Sequence, residues 1–371
     1  MVRGPIHPIE PFSLSTPPPP ETSPASIAWP DAARRAAFNA WLGGITAAHA
    51  LQPATLRAAS SDASFRRYFR IEGGTTSFIV MDAPPPQEDV RPFVAVATLL
   101  HRAGLHAPTV LAEDRAHGFL LLTDLGSRLY LDALNEAVAH NDTPRRDALM
   151  RDARLALIRW QTHGDASQLP AYDDALLRRE LQLFPDWCVV RECGVTWTPD
   201  EQQTWQAACD LLVASALAQP TVAVHRDYMP RNLMVTTERN PGILDFQDAV
   251  RGPVGYDLAS LLRDAFISWD EEFELDQAVR YWQDARTAGL ALPDDFGEFW
   301  RQVEWMGLQR HLKVLGIFCR LKHRDAKPKY SDDLPRFFNY AHKVSARYNG
   351  LRPLSRLLEP LMGAQRVEGF Y

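Results

Sequence analysis

The sequence predicts an α+β protein of two lobes, a small antiparallel β lobe followed by a larger, mainly helical lobe. Residues 65–71 and 77–81 are strand-like runs separated by a Glu-Gly-Gly turn. From Ser127 onward the composition is mainly helical. A chain of 371 residues, 46% of them hydrophobic, is long enough for two lobes with a shared cleft. We therefore expect an N-lobe at residues 29–125 and a C-lobe at residues 126–371.

Residues 1–28 differ from the rest of the chain in composition. They include the four consecutive prolines Pro17 to Pro20 and few aliphatic side chains. Such a segment buries too little apolar surface to offset the entropy lost on ordering. We expect a disordered tail, with a proline-rich docking segment as the alternative.

Charge and hydropathy argue against several classes of partner. The formal net charge of −6 argues against nucleic acid. No apolar run approaches the length of a membrane span, and the N-terminus lacks the apolar core of a signal peptide. We therefore expect no membrane partner and a cytoplasmic location. The sequence does not indicate the oligomeric state. The four cysteines show no CxxC spacing and are expected to be reduced core thiols.

The polar residues that best indicate chemistry lie near the middle of the chain. Residues 225–232 read HRDYMPRN and follow an apolar run that predicts a short strand. Two further predicted strands, separated by a turn, lead to Asp245. This arrangement would hold Asp227, Asn232 and Asp245 close together.

These three side chains fit phosphoryl transfer, a reaction that needs positioning and charge neutralisation more than covalent chemistry. Asp227 would accept the proton of the acceptor, and Asn232 and Asp245 would hold Mg²⁺ through amide and carboxylate oxygens. The sequence matches every fixed position of the kinase pattern H-R-D-x-x-x-x-N. The alternative is a solvated turn between two strands, because Asp, Asn and Pro are ordinary turn residues.

The start of the N-lobe offers candidates for binding the phosphates of a nucleotide. Ser61 and Ser64 lie in a run of small residues whose backbone N–H groups could approach phosphates, with a plain polar turn as the alternative. Protein kinases use a lysine of the third strand here, but this N-lobe contains no lysine. Arg66 or Arg67, or the nearby Arg70, could replace it. The alternative is that these arginines are solvated on an edge strand.

On these residues the chain resembles the superfamily of aminoglycoside phosphotransferases and choline kinases, which shares its core fold with protein kinases. The catalytic-loop match is specific for that superfamily. SDASFRRYFR, HRDYMPRNLM, LDFQDA and QRHLKVLG are similar to segments of the bacterial anomeric N-acetylmuramate/N-acetylglucosamine kinases. The resemblance spans about residues 30–365. It implies a protein-kinase-like fold, ATP as the phosphoryl donor and a role in peptidoglycan recycling.

The resemblance also implies an interlobe hinge whose backbone would pair with adenine near Leu122 and Leu125. Asp124 would hold the ribose or simply end the strand. In relatives of this superfamily, helices before the catalytic loop help to shape the acceptor pocket. Glu180, in the helix predicted at residues 174–188, is therefore a candidate sugar contact, and a solvated helix charge is the alternative.

Basic residues in two places could contact the reacting groups. Met229 stands where many protein kinases have a lysine, so Arg231 is the nearest cation that could neutralise the transferred group. Arg310, His311 and Lys313 lie in a helix predicted at residues 296–320 and cannot all occupy one face. N-acetylmuramate carries a carboxylate, and one basic residue in the pocket would pair with it. Structural or exposed side chains are the alternative.

The resulting prediction is an ATP- and Mg²⁺-dependent kinase for the anomeric hydroxyl of N-acetylmuramate and N-acetylglucosamine. The first alternative is a kinase for aminoglycosides, choline or another small-molecule hydroxyl. The mixed charges of residues 174–193 do not decide between them. The alternative of another class is a nucleotide-binding pseudokinase scaffold. The absent strand lysine favours the scaffold, and the full set of Asp227, Asn232 and Asp245 opposes it.

Overall fold

The computed structural model describes residues 27–61 and 65–363, except for the side chains of Ser60 and Ser61. Most of the predicted tail therefore lies outside the described residues, as does Ser64 in the serine-rich loop.

The described residues form two units. Unit 1 contains residues 27–88 and 111–124, and unit 2 contains residues 89–110 and 125–363. Residues 89–110, which fall within the range expected for the N-lobe, pack with unit 2. In this described part of the chain, no helix has both the length and the apolar character that crossing a bilayer requires.

Unit 1 is built on an antiparallel sheet. Its elements are α1 (Ala32–Thr46), β1 (Arg57–Ser61), β2 (Arg67–Glu72), β3 (Ser77–Asp82), β4 (Val110–Asp114) and β5 (Phe119–Thr123). The strand order is β1-β2-β3-β5-β4, and β2 and β3 each pair antiparallel with both of their neighbours.

Side chains from the sheet and from α1 form the core of unit 1. Phe69 and Ile71 of β2 are buried because alternate residues of a strand face the same side. Phe38 and Leu42, one helical turn apart on α1, pack against them. The Asp31 side chain caps the first turn of α1.

Unit 2 is mainly helical. Its helices are α2 (Arg91–Arg102), α3 (Tyr130–Ala139), α4 (Thr143–His163), α5 (Asp174–Leu181), α6 (Pro199–Leu217), α7 (Gly255–Leu262), α8 (Glu271–Thr287), α9 (Phe296–His323), α10 (Leu334–Arg347) and α11 (Arg352–Leu358). Two antiparallel pairs join β6 (Thr221–Val224) to β9 (Val250–Pro253) and β7 (Leu233–Met234) to β8 (Gly242–Ile243). The predicted α+β class, a small antiparallel sheet followed by a mainly helical region, is confirmed.

Helix α9 organises the packing of unit 2. It contacts α7, α10 and the π-helical segment Phe184–Glu192. The Asp295 side chain caps its first turn by accepting from the N–H of Glu298 at 2.8 Å. At Gly316 the helix lies so close to the segment before the π-helix that a Cβ would collide with the backbone of Leu183.

Candidate active site

The catalytic-loop candidate begins where β6 ends. Arg226 has a φ of +77°, a left-handed conformation that is uncommon for residues with a side chain. The Asp257 carboxylate holds this turn by accepting the N–H of His225 at 2.7 Å and that of Arg226 at 2.9 Å. Burial raises the pKa of Asp257 to about 7, although the two N–H donors act in the opposite direction. Because Asp257 lies in the first turn of α7, this helix braces the loop.

His225 connects the loop to the residue that precedes Asp245. Its Nε2 lies 2.9 Å from the carbonyl oxygen of Leu244. Burial lowers the pKa of His225 to about 4, so the imidazole is neutral at pH 7. Nε2 therefore donates to that carbonyl, and Nδ1 accepts from the N–H of Asp227 at 3.3 Å.

Asn232 joins the other two predicted residues. Its Nδ2 donates to the backbone oxygen of Asp227 at 2.9 Å and to Oδ2 of Asp245 at 3.3 Å. The N–H of Leu244 donates to the carbonyl oxygen of Asn232 at 2.9 Å. Asp245 has a φ of +59°, and Gln247 donates to its Oδ1 at 2.8 Å. The structure thus brings a carboxylate and an amide together beside Asp227, and both carry the oxygen ligands that Mg²⁺ prefers.

Asp227 lies among positive charges. Its side chain is 39% exposed, and its Oδ1 is 3.8 Å from Nη2 of Arg310. Desolvation raises the pKa of the Asp227 carboxyl, but nearby cations outweigh this effect and hold the pKa below its ordinary value. In order of effect, these cations are Lys313, Arg310 and Arg226. The carboxylate is therefore ionised at neutral pH, as a proton acceptor must be.

Glu180 is buried at the end of α5 and has several partners. Its carboxylate pairs with Arg226 and, at 3.2 Å, with Lys313, and it accepts a hydrogen bond from the Tyr172 hydroxyl. Lys313 also donates to the Tyr256 hydroxyl at 3.1 Å. Desolvation raises the pKa of Glu180, but Lys313 and Arg226 outweigh it and lower the pKa. Glu180 therefore links α5 to the catalytic loop and to α9.

The two remaining predicted C-lobe residues occupy different surroundings. His311 is fully buried, with Nε2 3.2 Å from the carbonyl oxygen of Arg263 and its ring stacked on Tyr340. Burial lowers the pKa of His311 well below its usual value, so this side chain is neutral. Arg231 lies in the catalytic loop, and its guanidinium carbon is 4.8 Å from the centroid of the Phe266 ring.

In unit 1, Arg66 and Arg67 differ in their partners. Arg67 pairs with Asp82, a fully buried carboxylate that also pairs with Arg34. Nε of Arg66 lies 3.2 Å from Oε2 of Glu88. Arg67 therefore belongs to the packing of unit 1, while Arg66 pairs with an acidic residue just before α2.

The segment predicted to form the hinge is divided between the units. Leu122 is buried in β5, and Leu125 begins the second segment of unit 2. The Asp124 carboxylate lies 2.5 Å from Nε of Arg70 and accepts from the Ser77 hydroxyl at 2.7 Å. These contacts tie the end of β5 to β2 and to β3.

The chain has relatives among proteins of assigned function. The profile of the phosphotransferase enzyme family matches residues 55–292. A Pseudomonas aeruginosa protein named N-acetylmuramate/N-acetylglucosamine kinase is 55% identical over 309 residues, which cover 83% of this chain and 89% of that protein. A protein of the same name from Neisseria meningitidis is 48% identical over 311 residues, covering 84% of this chain and 91% of the relative.

Solved structures resemble the fold at much lower identity. The ADP-bound aminoglycoside phosphotransferase APH(2'')-Ib matches with a TM-score of 0.56 and 14% identity, covering 85% of this chain and 99% of that one. Choline kinase LicA from Streptococcus pneumoniae matches with a TM-score of 0.57 and 11% identity, covering 84% of this chain and 100% of that one. These likenesses confirm the predicted protein-kinase-like fold.

Proposed function

The chain belongs to the phosphotransferase enzyme family, and we propose that it transfers the γ-phosphoryl group of ATP to the anomeric hydroxyl of N-acetylmuramate and N-acetylglucosamine. The observation that carries this proposal is the grouping of Asp227, Asn232 and Asp245 in a chain 48–55% identical to kinases named for these sugars. The enzyme would act in the cytoplasm, where ATP is available, during the recycling of cell-wall amino sugars.

Asp227 would accept the proton of the acceptor hydroxyl. The nearby cations lower its pKa, so the carboxylate is ionised but is a weak base. An anomeric hydroxyl is more acidic than an ordinary alcohol, and a weak base therefore suffices. Positioned base catalysis of this kind contributes roughly 10²–10⁴-fold to a rate. The hydrogen bonds of His225 and Asp257 hold the loop in place for this step.

Asn232 and Asp245 would hold Mg²⁺. The Asn232 amide nitrogen already bonds to Asp227 and Asp245, so the amide oxygen is the atom that can face a metal. Nowhere in residues 27–61 and 65–363 do three or more His, Cys, Asp or Glu side chains form a group that could hold a metal ion. One carboxylate and one amide suit Mg²⁺, which keeps several waters and also binds substrate phosphates. When bound, Mg²⁺ neutralises charge on the β- and γ-phosphates.

Two arginines would complement this charge neutralisation. Arg231 would face the transferred phosphoryl group, in the role of the catalytic-loop lysine of many protein kinases. Arg66 would replace the missing strand lysine, since its ion pair with Glu88 is like the lysine–glutamate pair of protein kinases. Arg67 is the weaker candidate because Asp82 holds its guanidinium. The backbone at residues 122–125 would contact adenine.

The proposal is tested by ADP release from ATP and Mg²⁺ with four acceptors: N-acetylmuramate, N-acetylglucosamine, kanamycin and choline. We expect turnover with the two sugars and a loss of roughly 10²–10⁴-fold in Asp227→Asn. Turnover with kanamycin or choline alone would overturn the proposed identity of the acceptor but would leave the proposed phosphotransferase chemistry in place. Firm ATP binding without turnover on any acceptor would favour a pseudokinase scaffold.

A further inference from the structure

Arg310 on α9 is a buried cation whose nearest carboxylate, that of Asp227, lies too far away for a hydrogen bond. The residue is 4% exposed. Its Nη2 lies 3.8 Å from Oδ1 of Asp227 and 4.0 Å from Sδ of Met229, and its Nε has no hydrogen-bond partner. A separation of 3.8 Å gives electrostatic attraction but is too long for a hydrogen bond. The guanidinium therefore has unused donors next to the proposed base.

The other two buried arginines of the described part have close carboxylate partners. Arg154 lies 3.0 Å from Asp284, and Arg263 lies 2.8 Å from Glu274. Close pairing is the ordinary arrangement, because a guanidinium has five N–H donors and its burial without partners costs free energy. Arg310 departs from this arrangement, and a bound anion would supply the partner that it lacks.

The neighbouring basic residues of α9 do not have the same capacity to bind an anion. Lys313, one helical turn after Arg310, already bonds to Tyr256 and pairs with Glu180. His311 is fully buried and neutral, with Nε2 3.2 Å from the carbonyl oxygen of Arg263 and its ring stacked on Tyr340. Of these three residues, Arg310 is the one that lies beside Asp227 and has no carboxylate within hydrogen-bond distance.

We propose that Arg310 binds the lactyl carboxylate of N-acetylmuramate and thereby favours this sugar over N-acetylglucosamine, an inference that rests on the proposed function. The reacting hydroxyl at C1 would bind at Asp227, and the lactyl group is attached at C3 of the same ring. A guanidinium pairs with a carboxylate through two parallel N–H···O bonds, which Nε and one terminal nitrogen can supply. N-acetylglucosamine has no carboxylate and would leave Arg310 unpaired.

The first test changes the substrate and leaves the protein intact. The wild-type enzyme is assayed with N-acetylmuramate and with its carboxamide, which has nearly the same shape but no charge. We expect kcat/KM to be roughly 10- to 100-fold lower for the carboxamide, the range that charge-assisted hydrogen bonds give. Equal kcat/KM for the two compounds would overturn the proposal, whatever any variant does.

The second test removes the cation. Arg310→Gln is expected to lower kcat/KM for N-acetylmuramate roughly 10- to 100-fold more than it lowers kcat/KM for N-acetylglucosamine. The variant should also use the acid and its carboxamide equally well. Arg301→Gln is the matched control, because Arg301 lies on the same helix and pairs with Glu298. We expect it to leave both sugars unaffected.

Loss of activity with both sugars to the same extent in a folded Arg310→Gln would overturn the proposal, because Arg310 would then serve ATP or Asp227. If this variant does not fold, the wild-type comparison of acid and carboxamide decides. Failure of the proposed function would look different, since the wild type would then phosphorylate neither sugar.

Discussion

At the residue scale, the charges around the catalytic loop are shared rather than paired one to one. Glu180 is the counter-ion of both Arg226 and Lys313, and it is 6% exposed. Arg226 in turn sets the backbone immediately before Asp227. We therefore expect Glu180 to position the loop through these cations, a role different from the sugar contact that the family resemblance implies.

Glu180→Gln tests this positioning role. The substitution keeps the shape but leaves the buried Lys313 and the half-buried Arg226 without their carboxylate, so we expect the free energy of unfolding to fall by about 3–5 kcal/mol. Turnover should fall with both sugars. Asp186→Asn is the control because Asp186 is exposed and bonds only to Gln182 among the described residues. Chemical denaturation and steady-state kinetics measure both effects. An increased sugar KM with unchanged stability would instead favour a direct sugar contact.

Arg231→Ala tests the assignment of the phosphoryl-neutralising cation. Arg231 would act on charge that develops during transfer, so turnover should fall far more than ATP affinity, by roughly 10²-fold or more. Steady-state kinetics and ATP titration of the same preparation measure the two quantities. Turnover equal to that of the wild type would rule out this assignment.

The central residues could be predicted because their signal is local. Asp227, Asn232 and Asp245 follow short apolar runs at fixed spacings, and the structure places them together. Tyr172 and Tyr256 could not be found in this way. They bond to side chains on other elements, and nothing in the residue order marks such a contact.

At the element scale, α9 determines how the surroundings of the catalytic loop are built. One of its faces carries Arg310 and Lys313 toward the loop, while His311 packs elsewhere. Further along, Gly316 allows close approach of the chain that leads into the π-helix. The position of α9 therefore affects where Arg310 and Lys313 lie and how the chain at the end of α5 packs.

Gly316→Ala is expected to destabilise the protein by about 1–3 kcal/mol, because its Cβ would collide with the Leu183 backbone. Gly307→Ala on the same helix is the matched control. Its Cβ would meet Ala259 at an ordinary 3.4 Å, and alanine favours the helix by up to about 1 kcal/mol. Thermal and chemical denaturation compare the two. Equal effects would show that the contact at Gly316 does not govern packing.

The extent of the helices was more predictable than their fine geometry. The predicted helix at residues 296–320 forms and continues to His323. The helix predicted at residues 174–188 instead divides into α5 and the π-helical segment Phe184–Glu192. An apolar pattern indicates that a segment is helical, but it does not indicate which hydrogen-bond spacing the helix adopts. Here the π-helical segment packs closely against α9, and the contacts involve residues far away in sequence.

At the scale of the whole molecule, the fold class followed from the order of the patterns, strands first and helices afterwards. The assignment of residues 89–110 to unit 2 could not be derived in that way. It depends on contacts such as that between the rings of Phe93 and Phe246, whose centroids are 4.6 Å apart. Local periodicity predicts that α2 has an apolar face but does not tell which partner covers it.

The claim that unites these scales is that Asp227 serves the transfer of phosphate to an anomeric hydroxyl. The most direct test is phosphorus NMR of the product formed from ATP and N-acetylmuramate, with Asp227→Asn, verified as folded by its melting curve, in parallel. We predict a sugar 1-phosphate, with phosphorus coupled to the anomeric proton, that the variant forms roughly 10²–10⁴-fold more slowly. Phosphate on another hydroxyl, or the same product at the same rate from the variant, would contradict the claim.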